Sequence, residues 1–93
     1  FWGPYSGLVA TVAGSVSQHA VSMGSGVHET SATSVVALEV IDGTGRRIRT
    51  NRPERPYLRA YGPDLTGLFL GDCGTLGVKA RVTLKCIARP THV

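Results

Sequence analysis

The stretch from Lys79 to Arg89 constrains the fold more tightly than any other part of the chain. Ala80, Val82, Leu84, Cys86 and Ala88 alternate there with Lys79, Arg81, Thr83, Lys85, Ile87 and Arg89. A period of two is the pattern of a β-strand with one face buried and one face in water, and no helix can segregate it. Ile87 alone breaks the alternation, and Pro90 stops the strand. Val35 to Ile41 is a β-branched run, Asp42-Gly43-Thr44-Gly45 is a turn signal, and Arg46 to Thr50 reads as a short second strand. Together they make a hairpin.

The remaining text provides short helices and loops. Leu8 to Val12 reads as a brief extended piece. Ser15 then caps a short helix in which Val16, Ala20 and Met23 share one side and Gly24 ends the turn. Residues 25–34 are polar and carry no period, as expected of an ordered loop. Residues 51–56 hold two prolines and three charges and read as an exposed loop. Pro63 opens a second short helix carrying Leu65, Leu68 and Phe69, with Asp64 suited to cap it and Gly71 to close it. Strands and short helices in mixed order imply an α+β fold: an antiparallel β-sheet flanked by short helices. With 93 residues, 42% of them apolar, the chain can build one modest core and has no room for a second domain. It opens on Phe1-Trp2-Gly3-Pro4, in what reads as the middle of a loop, so residues 1–93 are expected to be a segment of a longer protein.

A formal charge of +4 would suit a polyanionic partner. The basic residues, however, fall in the turn-and-loop stretch 46–59 and on alternate positions of the last strand. They lack the interleaved aromatics that a single-strand nucleic-acid binder uses. A solvated face, or a face that meets another domain, is the reading preferred here, and no nucleic-acid partner is expected. The competing reading is a small basic binding module with no enzymatic role, in which residues 46–59 meet nucleic acid or an acidic partner. Cys73 and Cys86 read as free thiols in a reducing, cytoplasmic setting. Neither lies in a Cys-x-x-Cys or near a histidine at ligand spacing, so no metal site is expected. No apolar run of about 18 residues is present, so no membrane span is expected.

Three phrases carry a resemblance. "DLTGLFLGDCGTLGVKARVTLKCIARP", residues 64–90, resembles a stretch of the form DLxxLFxGSEGTLGVIxxAxLKLxPxP. "GPYSGLVATVAGSVSQHA", residues 3–20, resembles a loop of the form xPxSxxxxTxGGxxxxxA. "SVVALEVIDGTGRRIRT", residues 34–50, is similar to a VLGLEVVLADGxVLRT hairpin. The three forms that these phrases resemble occur, in this order, in the FAD-binding domain of the p-cresol methylhydroxylase and vanillyl-alcohol oxidase type, as found in FAD-linked oxidases similar to glycolate oxidase, D-lactate dehydrogenase and alkyldihydroxyacetonephosphate synthase. The resemblance covers nearly the whole chain.

It implies the second subdomain of that domain. FAD would lie in the cleft against a first subdomain that this sequence does not contain. The implied partners are therefore FAD, that first subdomain and a separate substrate domain. The implied activity of the whole protein is oxidation of a CH–OH donor, such as a 2-hydroxy acid, with no catalytic residue assigned to this piece. Carried over residue by residue, the implied FAD contacts are Pro4, Ser6, Thr11 and Gly14 in the first loop. Ser17, Gln18 and His19 follow on the short helix, and Gly74, Thr75, Gly77 and Val78 in the last loop.

A pyrophosphate needs several donors at close range, and glycine-rich turns and helix starts supply backbone N–H groups with no side chain in the way. Gly74 and Gly77 would let the backbone approach an aromatic ring or a phosphate, and Thr75 adds a hydroxyl. The chain departs from the pattern at Ala13, His19, Val21 and His28-Glu29, and at Asp72-Cys73 where the pattern has Ser-Glu. His28 and Glu29, being adjacent, are read as loop hydrogen-bonding groups rather than an acid–base pair. Cys73 is read as a small residue filling a tight turn, Cys86 as a core residue and His92 as part of a chain end.

Overall fold

A computed structural model describes residues 9–21, 27, 31–52, 59–60, 62–89 and 91. The elements run helix α1 (Val12–Ser17), a single 3₁₀ turn (Ser31–Ser34), strand β1 (Val35–Ile41), strand β2 (Arg47–Arg49), helix α2 (Leu65–Leu68) and strand β3 (Val78–Leu84). The sheet has the order β2-β1-β3 and both pairings are antiparallel. Among the described residues, two short helices beside a three-stranded antiparallel sheet constitute the α+β architecture expected from the sequence.

The hairpin forms where the turn residues place it. The Asp42 carboxylate accepts hydrogen bonds from the backbone N–H and hydroxyl of Thr44 and from the N–H of Arg46, and Gly45 takes a left-handed φ of 85°. That is a side-chain-stabilised turn followed by a residue position that favours glycine. In the register that results, Val40 faces Ile48 on the apolar side of the hairpin, whereas Glu39 faces Arg49 and Ile41 faces Arg47 on the other.

Val16, Val35, Leu38, Val40 and Phe69 form the buried cluster, with Ile48, Leu70, Val82 and Leu84 packed against it. The core therefore lies between one face of the sheet and the two helices, α1 against β3 and α2 against β1. The opposite face carries Glu39, with Arg47 and Arg81 pairing with it at 2.9 and 3.9 Å.

The alternation that defines the last strand does not run straight through. Glu39 pairs with Arg81 but Val40 pairs with Lys79, which leaves Ala80 as an extra residue. This β-bulge resets the period. Val82 and Leu84 face the core as expected, but Ala80 is exposed and Lys79 turns inward, 6% exposed. The strand also ends at Leu84, ahead of the expected stop at Pro90. Cys86 and Ala88 lie beyond the sheet and are exposed, which overturns the reading of Cys86 as a core residue.

The helices are displaced from their expected places. The cap of α1 is Thr11 rather than Ser15: Thr11 is extended and its hydroxyl accepts from the Gly14 N–H. Ser15 lies inside the helix, buried, and donates to the Thr11 carbonyl at 2.8 Å. Val12 is helical, not extended, and the helix closes at Ser17, before Ala20; Met23 and Gly24 lie outside the described residues. In α2, Asp64 is the cap, accepting from the Gly67 N–H at 3.0 Å. Its buried residues are Thr66 and Phe69, whereas Leu65 and Leu68 are half exposed.

Thr66 is buried because it completes the sheet. β2 is only three residues long, so β1 would present unpaired backbone groups beyond it, and a buried unpaired group is costly. Thr50 supplies the missing partners. Its backbone N–H donates to the Leu38 carbonyl, its hydroxyl oxygen accepts from the Leu38 N–H at 2.9 Å, and the hydroxyls of Thr50 and Thr66 bond at 2.7 Å. Asn51 continues the ladder by donating to the Val36 carbonyl.

Thr50→Val keeps the shape but leaves the Leu38 N–H without an acceptor. It is expected to cost about 1–3 kcal/mol in urea unfolding of the intact protein. Thr83→Val on the open face should stay within about 0.5 kcal/mol. Equal effects of the two would contradict the role given to Thr50.

Candidate functional site

The C-terminal end of α1 and the loop between α2 and β3 meet, although their residues are far apart in sequence. Helix α1 ends in a Schellman turn. His19 takes a left-handed φ of 53°, its N–H donates to Val16, and the Ala20 N–H donates to Ser15. Glycine is the usual residue at this position, because a Cβ there is strained. The loop adds donors to the helix end: Gly71 N–H donates to the Val16 carbonyl, shared with His19, at 3.1 Å, and Cys73 N–H to Ser17 at 2.9 Å. The Cys73 thiol lies 4.0 Å from the Gln18 amide oxygen across 55 residues of sequence.

The loop is wound tightly. Gly71, Cys73 and Gly74 take left-handed φ values of 70°, 55° and 78°. Gly71 is crowded as well as left-handed, since a Cβ there would stand 3.2 Å from the His19 Cβ. At Gly77 a Cβ would meet Val40 Cγ1 at 2.5 Å and the Ile41 carbonyl at 2.9 Å. Close approach of the loop to β1 thus requires glycine there.

Asp72 organises this loop, and sequence reasoning missed it as a centre. Its carboxylate accepts the N–H groups of Gly74 at 2.8 Å and Leu76 at 3.2 Å, and pairs with the Lys79 ammonium. The two side chains are 3% and 1% exposed. Burial pushes the Asp72 carboxyl up, but the Lys79 ion pair and the two N–H bonds outweigh it and hold the group below the ordinary carboxylate range. The signal was present. The phrase that residues 64–90 resemble has Ser and Ile at the places of Asp72 and Lys79, so two charged residues enter together at two positions that the fold brings into contact.

The expected ligand residues divide into three groups. Pro4 and Ser6 lie outside the described residues, as do His28, Glu29 and His92. Thr11 and Gly14 are engaged in the helix cap, where a Cβ on Gly14 would stand 2.8 Å from the Thr11 hydroxyl oxygen. Ser17, Gln18, His19, Gly74, Thr75, Gly77 and Val78 lie on or beside the junction of helix end and loop. Most of the loop's donors are already committed: Gly74 and Leu76 N–H to the Asp72 carboxylate, and both the N–H and hydroxyl of Thr75 to the Asp72 carbonyl. What the loop offers outward is the open, Cβ-free surface at Gly74 and the apolar side chains of Leu76 and Val78, 46% and 69% exposed. Such a surface suits a flat ring better than a phosphate. Gln18 and His19 are exposed beside it, with polar groups for a ring edge or a ribose.

Both cysteines are free thiols. Among the described residues no group of three or more His, Cys, Asp or Glu could hold a metal ion, and no helix is long and apolar enough to cross a membrane.

Asp72→Ser strands the buried Lys79 charge and is expected to cost about 3–5 kcal/mol. Asp72→Ser combined with Lys79→Ile should recover most of that loss, as measured by chemical unfolding; a double variant no better than the single one would contradict a direct coupling. The pair also sets an acid limit. Because the native carboxyl is held below its unfolded value of about 3.9, its contribution is complete above that value. It disappears as the pH falls through the lower native one. Asp64, opposed by burial but favoured by the Gly67 N–H and Arg59, is lowered in the same way. Stability should therefore fall steeply below about pH 4, and less steeply in the double variant.

No family model matches the chain. It is similar to the glycolate oxidase subunit GlcD of Bacillus subtilis (strain 168), with 29% identity over 87 residues. The match takes in 94% of this chain but only 18% of that relative's length.

Proposed function

We propose that this chain is part of a flavin-linked oxidoreductase and that its junction of helix end and loop forms one wall of an FAD site. The observation that carries the reading is the meeting of α1 and the 71–78 loop through the Gly71, Cys73 and Gln18 contacts. It brings together the two stretches that resemble FAD-contacting phrases. The similarity to a glycolate oxidase subunit supports the same class. Because the chain spans so small a share of that relative, the oxidation of a 2-hydroxy acid is proposed for a whole protein of which this is one piece.

The residues fit the cofactor in a particular way. With the Gly74, Thr75 and Leu76 donors turned in toward Asp72, the loop packs its Gly74 edge and the Leu76 and Val78 side chains against a ring face. Gln18 and His19 supply hydrogen bonds at the rim. FAD, when bound, supplies a ring that accepts a hydride. The part played by this chain is to hold that ring in one orientation and to exclude water from one side of it. The rigidity comes from Asp72 and Lys79, which hold the loop in place before any ligand arrives.

The test is the visible absorption spectrum of the intact protein as purified and after added FAD. A flavin band is expected, and denaturation will show whether the colour leaves the polypeptide. Gly74→Val places a branched side chain on the proposed contact surface at a left-handed φ, and should weaken FAD binding by at least about tenfold, equivalent to about 1.4 kcal/mol. A colourless protein that takes up no added FAD would sink the proposal.

A further inference from the structure

The β2 edge of the sheet lies across β1 from β3, against which α1 packs. It holds a cavity of about 460 Å³. The end of β2 contributes Arg49, Thr50, Asn51 and Arg52, and the segment leading into α2 contributes Arg59, Ala60 and Pro63; among the described residues no acidic one lines it. We propose that this cavity binds the phosphate monoester group of a small molecule, at a site separate from the proposed flavin wall.

The donor chemistry points to an oxyanion. The hydroxyl of Thr50 is committed to Leu38 and Thr66. The Asn51 amide donates to the Val36 carbonyl, and its oxygen accepts the Arg52 N–H. Recognition therefore falls to the three guanidinium groups. Arg59 is already fixed in place. It donates to the Ala32 carbonyl at 2.9 Å and through two nitrogens to Asp64 at 3.1 and 2.6 Å. Asp64 offsets its charge, but its planar fork is preorganised, which suits tetrahedral and planar oxyanions. Arg49 and Arg52 pair with no carboxylate among the described residues.

Two uncompensated positive charges match a dianion, whereas a single carboxylate would leave one of them unbalanced. The volume falls within the range of about 300–1,000 Å³ typical of small-molecule sites. It is far more than a bare phosphate fills, and Ala60 and Pro63 give an organic body an apolar wall. Among the described residues the lining holds no aromatic side chain on which a nucleic-acid base could stack.

The test is calorimetric titration of the intact protein with phenyl phosphate, inorganic phosphate and acetate. Phenyl phosphate should bind with one-to-one stoichiometry and more tightly than acetate, and binding should weaken several-fold between low salt and about 0.5 M NaCl. Arg49→Gln with Arg52→Gln should weaken it at least about tenfold, with circular dichroism confirming an unchanged fold. Arg47→Gln, whose partner Glu39 lies outside the cavity, should change it less than about twofold.

Five results would overturn the proposal. They are no saturable binding up to about 10 mM phenyl phosphate; acetate binding as tightly; equal weakening by Arg47→Gln, or a single-stranded oligonucleotide binding more tightly with the same loss, which would mark a diffuse polyanion surface; and displacement of the bound phosphate by FAD, which would merge the cavity with the flavin site. Failure of flavin binding alone leaves this result untouched.

Discussion

The buried ion pair between Asp72 and Lys79 ties the sheet to the loop. Lys79 reaches the core side because a bulge at Ala80 turns it inward, and Asp72 meets it there with two backbone N–H groups already in hand. A buried charge stripped of its partner is far more costly than the pair is favourable. The arrangement therefore specifies one loop conformation more than it adds stability. The left-handed backbone at Cys73 and Gly74 and the glycine contact of the loop with β1 all follow from a loop drawn around that carboxylate.

The same loop finishes α1. A six-residue helix has almost as many unsatisfied carbonyls as residues, and it persists here because the Thr11 cap closes one end while Gly71 and Cys73 donate to the other. Helix, loop and sheet edge thus form one unit in which polar groups are satisfied by tertiary contacts rather than by long regular elements. That economy suits a chain with a small core. It also leaves the two edges of the sheet with different characters: apolar and glycine-rich beside β3, and rich in arginine beside β2.

Much of this was legible in the sequence. The hairpin followed from its β-branched run and its Asp-Gly-Thr-Gly turn, and Asp64 announced itself as a cap from its place after Pro63. The boundaries of α1 were misplaced because Thr11 and Ser15 are both good caps, and only the path of the chain decides between them. Cys86 was assigned to the core because the alternating pattern continues past the point where β1 has any residue left to pair with it. For the candidate site, the glycines and Gln18 were found from the resemblance. Asp72 was noted only as a departure, since nothing in a linear reading places it beside Lys79.

Local chemistry, then, was determined by the sequence itself: the β-branched run, the Asp-Gly-Thr-Gly turn and the Asp64 cap depend on neighbours a few residues away, which a sequence displays directly. The tertiary structure alone decided which face each strand residue took past the bulge, which polar groups were free for a ligand and which arginines shared a cavity. Those outcomes depend on contacts such as that between Gln18 and Cys73, 55 residues apart. A register shift of a single residue is enough to exchange the inside of a strand for its outside.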